Sequence, residues 1–92
     1  MLELVQTSQF KRDYKRLVKQ GRDMSLLKSV VEALQKQAPL GAKYLDHPLV
    51  SNWKGFRECH VASDWILVYR VSSKELTLTL SRTGSHSEVF GL

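Results

Sequence analysis

One cysteine, two prolines and five glycines in 92 residues leave little to cross-link or punctuate this chain. The lone Cys59 excludes an internal disulfide, and with it a secreted scaffold held by cross-links, so a reducing cytoplasm is the expected home. No long apolar run exists. The longest, Trp65-Ile66-Leu67-Val68-Tyr69, is far short of the ~20 residues that cross a bilayer. The opening Met1-Leu2-Glu3-Leu4 carries an acid where a secretion signal would carry positive charge. Repeats, low-complexity tracts and linker-like stretches are also missing, and one domain over residues 1–92 is expected. Acid is scarce too: nine Asp and Glu face fourteen Lys and Arg, a net charge of +5. Such a surface favours a polyanion, either nucleic acid or an acidic protein.

What is present has the balance of an ordinary globular domain, 42% hydrophobic and 25% charged. Leu2 to Gln6 suits a short strand, after which Thr7 or Ser8 can cap a helix. Phe10, Tyr14, Leu17 and Val18 recur at helical spacing as its inner face, opposite Lys11, Arg12, Lys15, Arg16 and Lys19, and Gly21 suits its stop. Asp23 or Ser25 can cap a second helix with Leu27, Val30, Val31 and Leu34 inward, and Pro39 follows its end. Few residues join the two helices, which predicts an antiparallel pair. Residues 55–62, 65–71 and 75–82 read as three strands, with Leu76, Leu78 and Leu80 alternating against polar neighbours. The predicted class is α+β: an N-terminal strand and a two-helix hairpin packed on a small antiparallel sheet, whose other face is partly open and available for a site.

Histidines 47, 60 and 86 fall in three segments: a long connection over residues 40–52, the first strand of the meander, and the tail. With Asp64, Arg57 and Arg82 near them in the predicted meander, they form a candidate acid–base constellation. Imidazole both takes and gives a proton near neutral pH. RNA cleavage asks for little more, because the 2′-hydroxyl is itself the nucleophile and a cation can stabilise the crowded phosphorus. A lone histidine in a strand, as His60 is, more often serves structure than chemistry. Zinc is not expected: spacings of 13 and 26 residues match no metal motif, and Cys59 faces away from His60 in a regular strand. No cofactor is implied. Trp53 and Trp65 read first as packing residues, either of which could stack on a base, and Phe90 near the terminus suits stacking better. On these residues alone the chain is a basic α+β domain with RNA among its candidate partners.

Five stretches go further: Asp46-His47-Pro48-Leu49, Trp53-Lys54-Gly55-Phe56-Arg57, His60-Val61 with Asp64 to Tyr69, Arg82-Thr83-Gly84-Ser85-His86, and Phe90-Gly91. In this order and spacing they resemble the toxins of the RelE/ParE superfamily, and its YafQ branch most closely. The resemblance covers nearly the whole chain. It implies the RelE-like microbial ribonuclease fold and a toxin of a type II toxin–antitoxin pair, acting as a metal-independent endoribonuclease on messenger RNA in the ribosomal A site. It implies a DinJ/RelB-like antitoxin as partner, with DNA reached only through that antitoxin and no membrane contact. Carried over by motif, His47 is the general base and His86 the general acid, while His60 and Asp64 position substrate or tune the histidines. Arg82 faces the scissile phosphate and Phe90 stacks on or braces a base. Arg57 and Trp65 join the substrate-binding set, Trp65 with packing as its favoured role. Glu58-Cys59 beside His60 is given no chemical part. Two alternatives stand: a gyrase-binding toxin on the same fold, which cuts nothing, and a non-catalytic RNA-binding module suggested by charge.

Overall fold

In the computed structural model, which describes residues 1–91, the Thr7 hydroxyl accepts the Phe10 N–H and starts the first helix where β1 ends. The order is β1 (Glu3–Gln6), α1 (Ser8–Lys19), α2 (Met24–Gln35), β2 (His47–Pro48), β3 (Arg57–Ala62), β4 (Trp65–Ser72), β5 (Thr77–Gly84) and α3 (His86–Phe90). Asp23 caps α2 through the Ser25 N–H, and Gly21 ends the first helical segment with φ +75°. Short 3-10 turns at Ala42–Tyr44 and Ser51–Trp53 flank β2. The five strands lie in the order β1-β5-β4-β3-β2. The sheet is mixed: β1 runs parallel to β5, and the other pairs are antiparallel. The three meander strands β3, β4 and β5 are antiparallel as expected, while β1, which no tight turn joins to β5, adds to the sheet edge in parallel.

Phe10, Leu17, Leu27, Val30 and Leu34 of the helices bury against Cys59, Leu67, Tyr69, Leu78 and Leu80 on one sheet face. Tyr14 and Val18, expected in that core, are instead about half exposed, and Asp13 of the same helix is buried. Leu76 precedes β5 in a left-handed turn (φ +56°) and is exposed, so the alternation begins at Leu78. The second face carries a smaller cluster of Ile66, Val68 and Val89, with Leu49, Trp53, Phe56 and Phe90 packed on it.

A register shift opposite Val68 and Tyr69 leaves Ser81 without a partner and puts Arg82 beside Val68 on the second face. β1 pairs with β5 only as far as Leu80, so the β5 edge beyond it would be bare. Side chains from the helical segment complete it: Thr7 Oγ1 donates to Ser81 O (2.9 Å), Asp13 Oδ2 accepts Thr83 N–H (3.1 Å), and Arg16 Nη2 donates to Thr83 O (3.1 Å). No helix among the described residues is long and apolar enough to cross a membrane.

Candidate active site

β2 is only two residues long, but its pairing with β3 sets His47 opposite Glu58. Two residues further along β3, His60 emerges on the same face by strand alternation. The two-residue turn after β3 holds Asp64 at φ +47°. Beyond β5, Ser85 and Glu88 form a capping box that starts α3, so its first residue, His86, lies over the same face. Three segments remote in sequence thus deliver three imidazoles to one place.

They meet on a carboxylate that is 4% exposed, Glu58. His86 Nε2 stands 2.7 Å from Glu58 Oε1, His47 Nε2 3.3 Å from Oε2, and His60 Nε2 3.8 Å from Oε1. The His60 and His86 ring centroids are 5.4 Å apart. At its other nitrogen, His86 Nδ1 is 3.1 Å from Asp64 Oδ1, which also accepts the His86 backbone N–H. His47 Nδ1 reaches its own neighbour's carbonyl, Pro48 O, at 3.1 Å. Of the three, His86 alone is hydrogen-bonded to Glu58, and a ring nitrogen that close to a carboxylate oxygen needs a proton between them.

The Asp64 hydrogen bond raises the His86 pKa above its ordinary value; partial burial opposes this, and Glu58 adds to the rise. Asp64 is lowered in turn, by its two hydrogen bonds from His86 and, more weakly, by the charges of His86 and Arg22. His86 is therefore biased toward the cation, the form that can give a proton. Cys59 faces the opposite way, into the core, and burial pushes its thiol up to about 12, so it stays protonated and inert.

An aromatic group borders the histidines. Phe90 packs on His86 (ring centroids 6.4 Å) and edge-on against Trp53 (5.9 Å), which in turn meets Phe56 (5.3 Å). Phe90 is only partly buried there.

Three expected site residues do not offer a free side chain to the site. Trp65 is 1% exposed and donates its indole N–H to Thr83 Oγ1 inside the main core, so it binds no substrate in this arrangement. Arg57 has the parity of Cys59; its Nε donates to Asp46 Oδ1 at 2.9 Å, and Tyr69 donates to the other Asp46 oxygen at 2.6 Å. That places Arg57 on the helix side of the sheet, away from the histidines. Arg82 is on the site's face, but its guanidinium is spent. It donates to both Asp13 oxygens and to the carbonyls of Glu88 and Val89, so it does not point freely at a phosphate.

Glu58 is the residue that sequence reasoning missed. Alternation carried the signal, since a residue two before His60 in a strand shares its face. The spacing argument against a metal also fails in three dimensions. Donor atoms of Glu58, His60 and His86 lie within 4.8 Å of one another, and two imidazoles with a carboxylate suit zinc or copper.

A family profile described as the bacterial toxin of type II toxin–antitoxin system, YafQ, matches residues 2–91. The mRNA interferase toxin YafQ of Escherichia coli strain B / BL21-DE3 is 44% identical over 86 residues, 92% of this chain and 91% of that one. A metal-bound toxin from Helicobacter pylori is 49% identical and superposes with a TM-score of 0.92, covering 98% of this chain and 100% of that one. YafQ in an E. coli DinJ–YafQ complex is 41% identical with a TM-score of 0.89, covering 99% of this chain and 100% of that one.

Proposed function

The chain belongs to the YafQ family of type II toxin–antitoxin toxins, and from that premise we propose that it is an endoribonuclease that cuts messenger RNA in the ribosomal A site and so halts translation. The observation that carries the proposal is the meeting of His47, His60 and His86 on the buried Glu58 carboxylate.

The chemistry needs two proton transfers. A base takes the proton of a 2′-hydroxyl, whose oxygen attacks the adjacent phosphorus. The bond from phosphorus to the 5′-oxygen breaks, and an acid protonates that oxygen. The products are a 2′,3′-cyclic phosphate and a 5′-hydroxyl. His86, held between Asp64 and Glu58 and biased toward the cation, is suited to be the acid. His47 is suited to be the base: its Nδ1 can donate to Pro48 O, which leaves Nε2 with Glu58 to accept the hydroxyl proton. His60 contacts substrate or tunes its neighbours, Asp64 fixes the His86 ring, and Phe90 with Trp53 offers a surface on which a base can stack. The net charge of +5 suits a binding site made of ribosomal RNA.

Glu58, His60 and His86 would hold a divalent ion such as zinc or copper, and a bound ion supplies Lewis-acid chemistry. The proton transfers use the same nitrogen lone pairs, so ion and proton compete, and cleavage itself proceeds without metal. A DinJ/RelB-like antitoxin is the silencing partner, with an acidic segment to match the basic surface, and contact with DNA runs through it. The toxin acts as one domain, in the cytoplasm where translation takes place.

The test is cut-site mapping on programmed ribosomes with end-group analysis. The expected result is a cut within the A-site codon that leaves a 5′-hydroxyl. Intact message at high concentrations of folded protein refutes the proposal.

A further inference from the structure

Asp13 sits on α1 with no solvent exposure, and its hydrogen-bond and ion-pair partners are Gln9, Arg16, Arg82 and Thr83 rather than any histidine. Its carboxylate nevertheless gathers five hydrogen bonds. Oδ1 accepts from Gln9 Nε2 (3.1 Å), Arg16 Nη1 (2.9 Å) and Arg82 Nη2 (3.3 Å). Oδ2 accepts from Arg82 Nε (2.8 Å) and Thr83 N–H (3.1 Å). Completing the β5 edge requires only the last of these. Three of the others hold two guanidiniums side by side, which only a charge between them makes tolerable.

Both guanidiniums lead to α3. Arg82 Nη1 donates to Val89 O (3.2 Å) and Nη2 to Glu88 O (3.3 Å), two carbonyls at the C-terminal end of that helix. Arg16 Nε is 3.0 Å from Glu88 Oε2, and Gln20 Nε2 donates to the same oxygen at 3.0 Å. α3 has five residues, too few to be helical unaided, so its place is set from outside. It carries His86 at its start and Phe90 at its end.

We propose that Asp13 is a positioning residue of the active site: by anchoring Arg82 and Arg16 it fixes α3, and so sets the His86 imidazole against Glu58 and Asp64 and the Phe90 ring against Trp53. The kinetic part of this inference rests on the nuclease reading above; the structural part does not. With the carboxylate neutralised, the paired guanidiniums repel, Arg82 leaves the α3 carbonyls, and the helix loosens while the sheet stays paired.

The experiment compares wild type with Asp13→Asn in the full chain. It follows amide exchange of Val89 and Gly91, whose N–H groups bond Ser85 O and Ser87 O, beside amides of β4. The expected result is exchange in α3 accelerated about tenfold beyond any common change in β4. For message cleavage, kcat falls about 10–100-fold with KM altered less than about threefold. Uniform acceleration with wild-type kcat makes Asp13 structural only and overturns the inference, and so does a loosened α3 with wild-type kcat. Should Asp13→Asn fail to fold, Arg82→Lys tests the same link from its other end. One ammonium keeps the charge beside Asp13 but cannot also span to two carbonyls. The same local loosening and kcat loss are expected, and a folded Arg82→Lys protein with α3 protection and kcat at wild-type levels overturns the inference. If the wild type cuts no message, the nuclease reading fails while exchange still decides whether Asp13 anchors α3.

Discussion

Glu58→Gln separates the chemistry of the cluster from its architecture. The substitution keeps the shape of a side chain buried between β2 and β4 and removes the charge that three imidazoles approach at 2.7, 3.3 and 3.8 Å. Two stability effects oppose each other. A hydrogen bond from a charged donor contributes about 1.5–3 kcal/mol, while the desolvation cost of a buried carboxylate, several kcal/mol in rough terms, disappears with the charge. The expected net change in unfolding free energy is about 1 kcal/mol in either direction. Activity has no such cancellation. General acid–base catalysis contributes about 10²–10⁴ in rate, or roughly 3–5 kcal/mol of barrier, and the Glu58→Gln variant should lose most of it. Denaturant unfolding read beside single-turnover cleavage on programmed ribosomes measures both quantities. The alkaline limb of the pH–rate profile gives a third. Asp64 and Glu58 raise the His86 pKa, so the wild-type acid stays protonated above the ordinary histidine range. In the Glu58→Gln variant the limb moves down but not fully, because the Asp64 hydrogen bond is the larger cause. A folded Glu58→Gln protein that cleaves within threefold of wild type would refute the reasoning.

The raised His86 pKa also affects folding. Its contribution to stability is fully present below the unfolded histidine value and is lost as pH rises through the folded one, so Asp64→Asn should weaken the pH dependence of unfolding between neutral and mildly alkaline pH. Trp65→Phe removes the buried hydrogen bond to Thr83 and part of a fully packed ring; it should cost about 1–3 kcal/mol in denaturant unfolding, with cleavage per folded molecule unchanged. Gly84→Ala forces φ +145° on an alanine and brings its Cβ to 2.6 Å from Arg16 Nη2 and 2.9 Å from Glu88 Oε1. A loss of about 1–3 kcal/mol and weaker α3 amide protection are expected. Zinc added at saturation should inhibit cleavage and a chelator should leave the basal rate intact, a result reversed if metal takes part in the reaction.

Much of this site was legible because strand parity is simple. The opposite faces of Cys59 and His60, both helix caps and the inward set of α2 follow from local rules that the fold obeys. The misses have physical causes. Parity with Leu67 and Tyr69 would have placed Trp65 in the core, and parity with Cys59 would have turned Arg57 away. β2 has two residues, too few for any periodic signal, yet its register brings His47 to Glu58. α3 follows the Ser85-x-x-Glu88 box and ends at Gly91 (φ +71°), a helix signature hidden in what reads as a polar tail. Asp13 lies three residues from Phe10 and four from Leu17, on the buried stripe of α1. Composition cannot tell a buried acid from a solvated one; only the guanidiniums of Arg16 and Arg82, the second 69 residues away in sequence, make its burial tolerable.

The central claim is that imidazoles gathered on Glu58 move the protons of phosphodiester cleavage. Its most direct test is the single-turnover rate of His86→Ala on a programmed ribosome, beside wild type and with both proteins shown to be folded. The expected loss is about 10²–10⁴-fold, with cut position unchanged in the residual product. A rate within threefold of wild type would contradict the claim.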